Sequence, residues 1–173
     1  MQLLLPSQLI RRLLRELERA GEREIGGLLM GEHVRDEVFR IVDISVQRSG
    51  GERTCFIRHP KSHKKALKKF FARTGNDYTR FNYLGEWHSH PSFAPLPSET
   101  DVETMQSLAA DPEVGANFLV LLITKRDSDG RFQATATVFL ANSPPLLAPL
   151  QVETEPAPKT RVLIHWLRGI MGS

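Results

Sequence analysis

The sequence predicts an α+β domain in which a mixed, mostly antiparallel sheet is flanked by helices. Its amphipathic and apolar segments follow the order helix, strands, helix, strand, helix, strands. The regular strand–helix alternation and the Gly-rich turn of a nucleotide-binding fold are both missing from the sequence. The length of 173 residues fits one compact domain. We therefore expect one main hydrophobic core with at most a small appendage.

Composition indicates a folded globular protein without structural disulfides. Hydrophobic residues make up 40% of the chain and charged residues 25%, as is ordinary for a soluble domain. Cys55 is the single cysteine, which excludes an intramolecular disulfide and a thiolate zinc cluster. Any metal must therefore be held by His, Asp or Glu side chains.

Charge and hydropathy argue against nucleic-acid and membrane partners. The net charge of +3 and the pI near 9.2 are weaker than those expected of a dedicated nucleic-acid binder. The apolar start of the chain is interrupted by Arg11 and Arg12, well short of a spanning or signal-sequence length. We expect a cytoplasmic protein that binds neither nucleic acid nor membrane.

The first part of the chain predicts an amphipathic helix followed by a β-hairpin. Apolar side chains recur at helical spacing before Gly21, at Leu9, Ile10, Leu13, Leu14 and Leu17. Residues 24–34 and 37–47 are apolar runs separated by charged turn residues, which is typical of two antiparallel strands. Residues 53–58 are predicted to add a short strand.

A strongly basic helix is predicted over residues 58–73. Its inner face is apolar, and its outer face carries Lys61, Lys64, Lys65, Lys68, Lys69 and Arg73. We interpret the basic face as solvated rather than as a partner-binding patch. Within this region His59 and His63 stand four residues apart, but the neighbouring lysines disfavour a metal site. We interpret both as surface histidines, and Cys55 as a buried apolar side chain.

The second half of the chain predicts alternating strands and one helix, followed by a tail. Its elements are, in order, a strand over 82–90, a Pro-rich loop over 91–97, a helix over 99–110 capped by Ser98, and two strands over 116–126 and 131–141 joined by a turn. We place the domain at residues 1–142. We expect residues 143–173 to form a Pro-rich, extended tail that ends in a short apolar segment.

Two histidines at the end of the strand over 82–90 are candidate metal ligands. Residues i and i+2 of a strand share a face, so His88 and His90 can converge on one point while Ser89 and Trp87 face the core side. Asp101 begins the next helix and can add an oxygen, leaving a fourth tetrahedral position open. The alternative is structural: His-x-His occurs in ordinary strands, and Ser98 with Asp101 also forms a helix capping box.

Residues 88–101, HSHPSFAPLPSETD, resemble the His-x-His-Pro-x6-Ser-x2-Asp signature of the JAMM (JAB1/MPN/Mov34) zinc metalloproteases. The glutamate that this family places upstream is matched by Glu24 in EIGGLLMG. The resemblance covers roughly residues 5 to 141 and is nearest to the prokaryotic JAB branch. It implies the JAMM/MPN fold, which is cytidine-deaminase-like.

The resemblance implies a role for each matched residue. His88, His90 and Asp101 would bind one Zn²⁺ per chain. Glu24 would take a proton from the attacking water and later give it to the leaving amine, and Ser98 would donate a hydrogen bond to the oxyanion. Two other acids, Glu22 and Glu86, compete with Glu24 for the role of base, and the family context favours Glu24.

The resemblance also implies a substrate class. Related enzymes cleave after the C-terminus of ubiquitin or a ubiquitin-like protein, whose extended tail can pair with a sheet edge. The sequence looks most like peptidases of bacterial antiphage operons (CBASS or ubiquitin-like conjugation), which act on a ubiquitin-like protein or a conjugated nucleotidyltransferase. The resemblance then implies E1- and E2-like proteins from the same operon as partners.

Three alternatives remain open at this point. The first is a JAMM hydrolase that processes sulfur-carrier proteins or small cysteine conjugates. The second is a catalytically silent MPN scaffold, which the complete set of matched residues disfavours. The third is a nucleic-acid-associated domain similar to JAB-related DNA repair proteins, for which the basic helix gives slight support.

Overall fold

One mixed sheet and three helices make up the part of the chain that the structure describes. The computed structural model describes residues 1–48 and 60–154. In chain order its elements are β1 (Gln2–Pro6), α1 (Ser7–Ala20), β2 (Gly26–Arg35), β3 (Val38–Ile44), α2 (Pro60–Arg73), β4 (Phe81–Ser89), α3 (Glu99–Ala110), β5 (Leu119–Arg126), β6 (Phe132–Phe139), β7 (Leu146–Ala148) and β8 (Leu150–Glu153). The strand order across the sheet is β7-β6-β5-β4-β2-β3-β1-β8.

The sheet is mixed, with more antiparallel than parallel pairs among the described strands. Four neighbouring pairs are antiparallel: β2–β3, β2–β4, β5–β6 and β6–β7. Three are parallel: β1–β3, β1–β8 and β4–β5. The predicted α+β class with a mixed, mostly antiparallel sheet flanked by helices is therefore confirmed. The finer description as cytidine-deaminase-like stays a prediction.

Helices cover both faces of the sheet. α1 packs its apolar stripe on a core that contains Val120, Leu122 and Trp87. α3 packs Met105 against a second cluster that contains Leu121 of the same strand, β5. Because neighbouring residues of a strand point to opposite faces, α1 and α3 lie on opposite sides of the sheet. Trp87 is fully buried, as the sequence predicted.

Most predicted elements are present where periodicity or capping marked them. α1 ends immediately before Gly21, the hairpin of β2 and β3 pairs antiparallel, and α3 follows its N-cap Ser98. β5 and β6 form the second predicted hairpin. β1 was not predicted, because its apolar run is too short to be told from the start of α1 by periodicity.

The predicted boundary at residue 142 falls before the last two strands of the described sheet. β7 pairs with β6, and β8 pairs with β1 at the opposite end of the strand order. Pro149 alone separates β7 from β8, and its carbonyl oxygen accepts a hydrogen bond from Leu3 N at 2.9 Å. Since one residue spans only a few Å, the sheet must curl until its two ends meet. Residues 146–153 therefore extend the same sheet beyond the boundary that the sequence predicted.

His63 is not the surface residue that we expected. Its side chain is 3% exposed. Its Nδ1 lies 2.7 Å from Ser45 Oγ, and its Nε2 lies 3.2 Å from Gln47 Oε1. The burial of His63 was not predicted, because lysines flank it in the sequence. In the structure His63 occupies the inner face of α2, at helical spacing from Phe70.

Several predictions concern residues outside the described ranges. These are the strand over 53–58, the burial of Cys55, the exposure of His59 and the apolar segment within 155–173. Within residues 1–48 and 60–154, no helix is long and apolar enough to cross a membrane.

Glycines let the central strands approach each other at the site. Gly85 of β4 has a φ of 140°, and a Cβ there would clash with the backbone of Val120 on β5. The register between β2 and β4 shifts beside it, which leaves Leu84 as an extra residue on β4. Gly27 of β2 similarly has no room for a Cβ beside the carbonyl oxygen of Ser45. Both positions require glycine.

Candidate metal centre

The two histidines of the motif converge with Asp101 at the end of β4. Both imidazoles are buried, and their Nε2 atoms lie 3.1 Å apart. Asp101 Oδ1 lies 3.4 Å from His88 Nε2, and Asp101 Oδ2 lies 3.8 Å from His90 Nε2. One ligand atom from each of the three residues lies within 4.8 Å of the others. The structure therefore brings the three candidate ligands together.

Hydrogen bonding sets the tautomer of His90. Its Nδ1 lies 3.1 Å from the carbonyl oxygen of Ala94, which can only accept. Nδ1 must therefore carry the proton, and Nε2 presents its lone pair toward Asp101. Burial, the largest effect, lowers the pKa of His90, so the ring is biased toward the neutral form that binds cations.

The first turn of α3 holds Asp101 in place. Ser98 N and Ser98 Oγ each donate to Asp101 Oδ2 at 2.7 Å, and Asp101 N donates back to Ser98 Oγ at 3.2 Å. This is a complete capping box. Burial raises the pKa of Asp101, but the hydrogen bonds from His88 and Ser98 outweigh it and hold that pKa well below the usual range. The capping box and the candidate ligand set thus share one carboxylate.

The donor set fits zinc. Two imidazole nitrogens and one carboxylate oxygen are borderline ligands that zinc accepts in a tetrahedral site with one open position. The fixed tautomer of His90 and the ionised carboxylate of Asp101 both present lone pairs rather than protons. These are the protonation states in which His and Asp bind metal.

Glu24 lies two residues before the start of β2 and lines the same cavity as the three candidate ligands. Its side chain is buried, and burial raises its pKa to about 6. His88 partly offsets this rise, and Asp101 adds to it. A carboxyl group with a pKa near neutrality can both take and give a proton. The competing acid Glu22 is exposed, whereas Glu86 is half-buried and also lines the cavity.

The cavity is large enough for an extended peptide segment. Its volume is about 800 Å³, and it contains all five residues matched to the motif: Glu24, His88, His90, Ser98 and Asp101. The loop between β4 and α3 adds the exposed apolar side chains of Phe93 and Leu96 to its wall. Met105 of α3 and Leu121 of β5 also line it. The five polar side chains matched to the motif therefore share one cavity with several apolar side chains.

Two residues that form hydrogen bonds around the candidate histidine ligands, Thr124 and Ser89, were not predicted from the sequence. The backbone N–H of His90 donates a hydrogen bond to the carbonyl oxygen of Thr124 on β5 at 2.9 Å. The hydroxyl group of Thr124 donates a hydrogen bond to the carbonyl oxygen of His88 at 3.3 Å. Ser89 faces away from the cavity, as predicted, but its hydroxyl accepts Ile25 N at 3.0 Å. Strand register decides both contacts, and nothing in the spacing of the motif indicates that register.

Comparison with known proteins agrees with this geometry. Residues 6–137 match the model of a family described as prokaryotic homologs of the JAB domain. The chain belongs to this prokaryotic JAB family. The resemblance inferred from residues 88–101 is thereby confirmed.

This JAB chain has curated relatives in bacteria and in yeast. It is 29% identical over 139 residues to a CD-NTase/cGAS isopeptidase of Enterobacter hormaechei, covering 79% of this chain and 74% of that protein. A protein of the same name from Vibrio cholerae is 32% identical over 106 residues, covering 60% of this chain and 64% of the relative. The 26S proteasome regulatory subunit rpn11 of Schizosaccharomyces pombe is 28% identical over 96 residues, covering 56% of this chain and 30% of that subunit.

A solved structure shares the fold of this JAB chain. The solution structure of a protein from Desulfitobacterium hafniense superposes with a TM-score of 0.66 at 19% identity, covering 90% of this chain and 96% of the other. At this identity the likeness concerns the fold alone.

Proposed function

We propose that this JAB protein is a zinc-dependent isopeptidase or peptidase that cleaves after the C-terminus of a ubiquitin-like protein. The observation that carries the proposal is the shared cavity. A buried glutamate with a pKa of about 6 faces the same space as two histidines and an aspartate that can hold a metal. A buried acid with a raised pKa beside a candidate metal site supports a catalytic role for the cavity.

Each residue then has a chemical task. When bound, zinc would activate a water molecule and polarise the scissile carbonyl group. His88, His90 and Asp101 would hold the ion. Glu24 would accept the proton of the attacking water on a carboxylate oxygen and pass it to the leaving amine. The Ser98 hydroxyl, which donates to Asp101 Oδ2 at 2.7 Å, would turn to donate to the oxyanion.

The cavity supports an extended polypeptide substrate. Phe93 and Leu96 offer apolar side chains that are each 54% exposed beside the proposed reaction centre. Such a wall suits the apolar side chains of a C-terminal tail that leads its last carbonyl to the metal. We infer that the tail belongs to a ubiquitin-like protein, or to a nucleotidyltransferase joined to a target through an isopeptide bond.

The names of the relatives support a proposal for the biological setting. Two bacterial relatives are named CD-NTase/cGAS isopeptidases. We infer that this protein deconjugates or processes a comparable substrate in an antiphage system, with E1- and E2-like proteins as partners. Processing of sulfur-carrier proteins or small cysteine conjugates is the alternative within the same chemistry.

Replacing the proposed base tests the reaction. Glu24→Gln removes the proton-accepting oxygen but keeps the shape, so we expect one bound zinc per chain and loss of cleavage by a factor of at least about 10². The measurement is cleavage of a ubiquitin-like protein fused to a reporter, and of the same protein linked to lysine, with zinc content measured in parallel.

The matched control is Glu22→Gln, a substitution of an exposed glutamate two positions earlier. Its cleavage rate is expected to equal that of the unsubstituted protein. Full activity of Glu24→Gln would rule out Glu24 as the base. Absence of zinc from the unsubstituted protein after purification with zinc supplied would rule out the metalloprotease proposal as a whole.

A further inference from the structure

Ser89 lies between His88 and His90 in the sequence. It forms two hydrogen bonds with Ile25, the residue that follows Glu24. Ser89 N donates to Ile25 O at 2.8 Å, and Ile25 N donates to Ser89 Oγ at 3.0 Å. Ser89 is 1% exposed, so both hydrogen bonds are shielded from water. We call this pair of hydrogen bonds the Ser89–Ile25 clamp.

The clamp lies where the regular strand pairing ends. The pairing of β2 with β4 closes at Gly26 opposite His88. Glu24 and Ile25 precede β2 and lie outside its ladder. The Ile25 side chain is 2% exposed and belongs to the core on the α1 face, whereas the Glu24 side chain lines the cavity. The clamp therefore extends the pairing of β2 with β4 by one residue. The extension reaches Ile25, which is adjacent to Glu24, the proposed base.

We propose that Ser89 is a positioning residue that fixes Glu24 relative to His88 and His90. This inference rests on the proposed function. Ser89 is covalently joined to both histidines, and Ile25 is covalently joined to Glu24, so the clamp is a short connection between the proposed base and the metal ligands. Proton transfer is sensitive to displacements of about 1 Å, which can cost two orders of magnitude in rate.

Removing the hydroxyl should loosen the base without removing the metal. In Ser89→Ala, Ile25 N loses its buried acceptor, and residues 24 and 25 gain freedom. We expect kcat to fall roughly 10- to 100-fold, with KM and zinc content within about twofold of the unsubstituted protein. Ser89→Thr keeps a hydroxyl at the same position and should recover most of kcat. A Ser89→Ala variant with unchanged kcat would overturn the inference.

A second serine provides the matched control. Ser45 is bonded to Leu28 of β2 in the same way, through Ser45 N to Leu28 O at 3.0 Å and Leu28 N to Ser45 Oγ at 2.8 Å. It is 7% exposed, its hydroxyl also lies 2.7 Å from His63 Nδ1, and its partner Leu28 is separated from Glu24 by three residues of the chain. Ser45→Ala should lower the melting temperature and leave kcat per bound zinc within about twofold. Equal losses of kcat in both alanine variants would show general destabilisation and overturn the positioning role.

Hydrogen exchange of the metal-free protein gives a readout that does not depend on activity. The amide of Ile25 should exchange at least about tenfold faster in Ser89→Ala than in the unsubstituted protein or in Ser45→Ala. Unchanged exchange would overturn the clamp, even if the enzyme is active. If Ile25 exchanges faster in Ser89→Ala but the unsubstituted protein cleaves none of the substrates, the isopeptidase proposal is wrong. The Ser89–Ile25 clamp is then still supported.

Discussion

Glu24 and Asp101 are carboxyl groups of one cavity whose pKa values are pushed in opposite directions. Burial raises the pKa of Glu24 to about 6. Asp101 is only half-buried, and hydrogen bonds from His88 and Ser98 outweigh the effect of burial and hold its pKa well below the usual range. An acid that stays ionised suits a metal ligand, and one that titrates near neutrality suits proton transfer. The environments thus separate two roles that the residue type alone cannot separate.

Removing one imidazole should release the metal. His88→Ala takes away one of three proposed ligands, and we expect zinc affinity to fall by at least about 10²-fold, with loss of cleavage. The measurement is zinc titration monitored by calorimetry. His33→Ala, at an exposed position of β2, is the control and should bind zinc normally. Stoichiometric, tight zinc in His88→Ala would contradict this ligand set.

For individual residues, the sequence predicted which side chains lie together in the candidate site. It did not predict all of the hydrogen bonds that hold them in place. The motif spacing brought together His88, His90 and Asp101, and the family resemblance added Glu24. The burial of His63 and the contact of Ser89 with Ile25 could not be predicted. Both depend on which backbone lies beside the side chain, and that is decided by strand register and helix packing.

The strand that leads to the two candidate histidine ligands, β4, contains a bulge. β4 pairs with β2 on one side and β5 on the other, and the extra residue Leu84 shifts its register before the motif begins. Since successive side chains alternate, a shift of one residue decides which face the later residues occupy. The bulge therefore helps place His88 and His90 on the cavity side and Trp87 in the core.

Gly85→Ala is expected to damage both the fold and the site. A Cβ at φ 140° is strained, and it would clash with the backbone of Val120. We expect a loss of about 3 kcal/mol in the free energy of unfolding, measured with urea, and weaker zinc binding.

Gly75→Ala is the control for this prediction. Gly75 also has a positive φ, 68°, but a Cβ there would meet no atom within 4 Å. The backbone strain alone should cost about 1 kcal/mol, with normal zinc binding. Equal losses in the two variants would argue that the close approach of β5 to Gly85 is unimportant.

For the molecule as a whole, the predictable parts were those with strong local signals. α1, both hairpins and the capped α3 follow from periodicity, turn residues and capping. β1, β7 and β8 did not follow, because all three are short, and because β1 and β8 pair with each other from opposite ends of the described chain. The Pro-rich composition of residues 143–154 also favoured a tail, although proline is compatible with a strand at the edge of a sheet.

Ion pairs tie the last strand to the middle of the hairpin and should make stability depend on pH. Arg40 bonds Glu153 of β8 and Glu32 of β2, and Arg80 also bonds Glu32. Burial raises the pKa of Glu32, but the hydrogen bonds from Arg80 and Arg40 outweigh it and lower that pKa. Because the folded pKa is depressed, this stabilisation is present above the unfolded pKa of about 4.3 and is lost as pH falls through the folded value.

We therefore expect the free energy of unfolding in urea to decrease as the pH falls below about 4.3, and to decrease less steeply in Glu32→Gln. Glu32→Gln should also be less stable at pH 7, because two arginines lose a charged partner. The control is Glu103→Gln, at an exposed position on α3, which should follow the unsubstituted protein. Identical pH dependence in all three proteins would contradict the contribution of Glu32.

The closure made by β7, Pro149 and β8 has a consequence for how the molecule behaves in concentrated solution. One short stretch of chain covers the outer edges of both β6 and β1. Without it, two rows of unpaired backbone groups would be open to strands from other molecules. A chain ending at residue 145 should therefore aggregate edge to edge in light scattering, whereas one ending at residue 154 should scatter like the full chain. Equal scattering of the two would show that other parts of the protein keep these edges from associating.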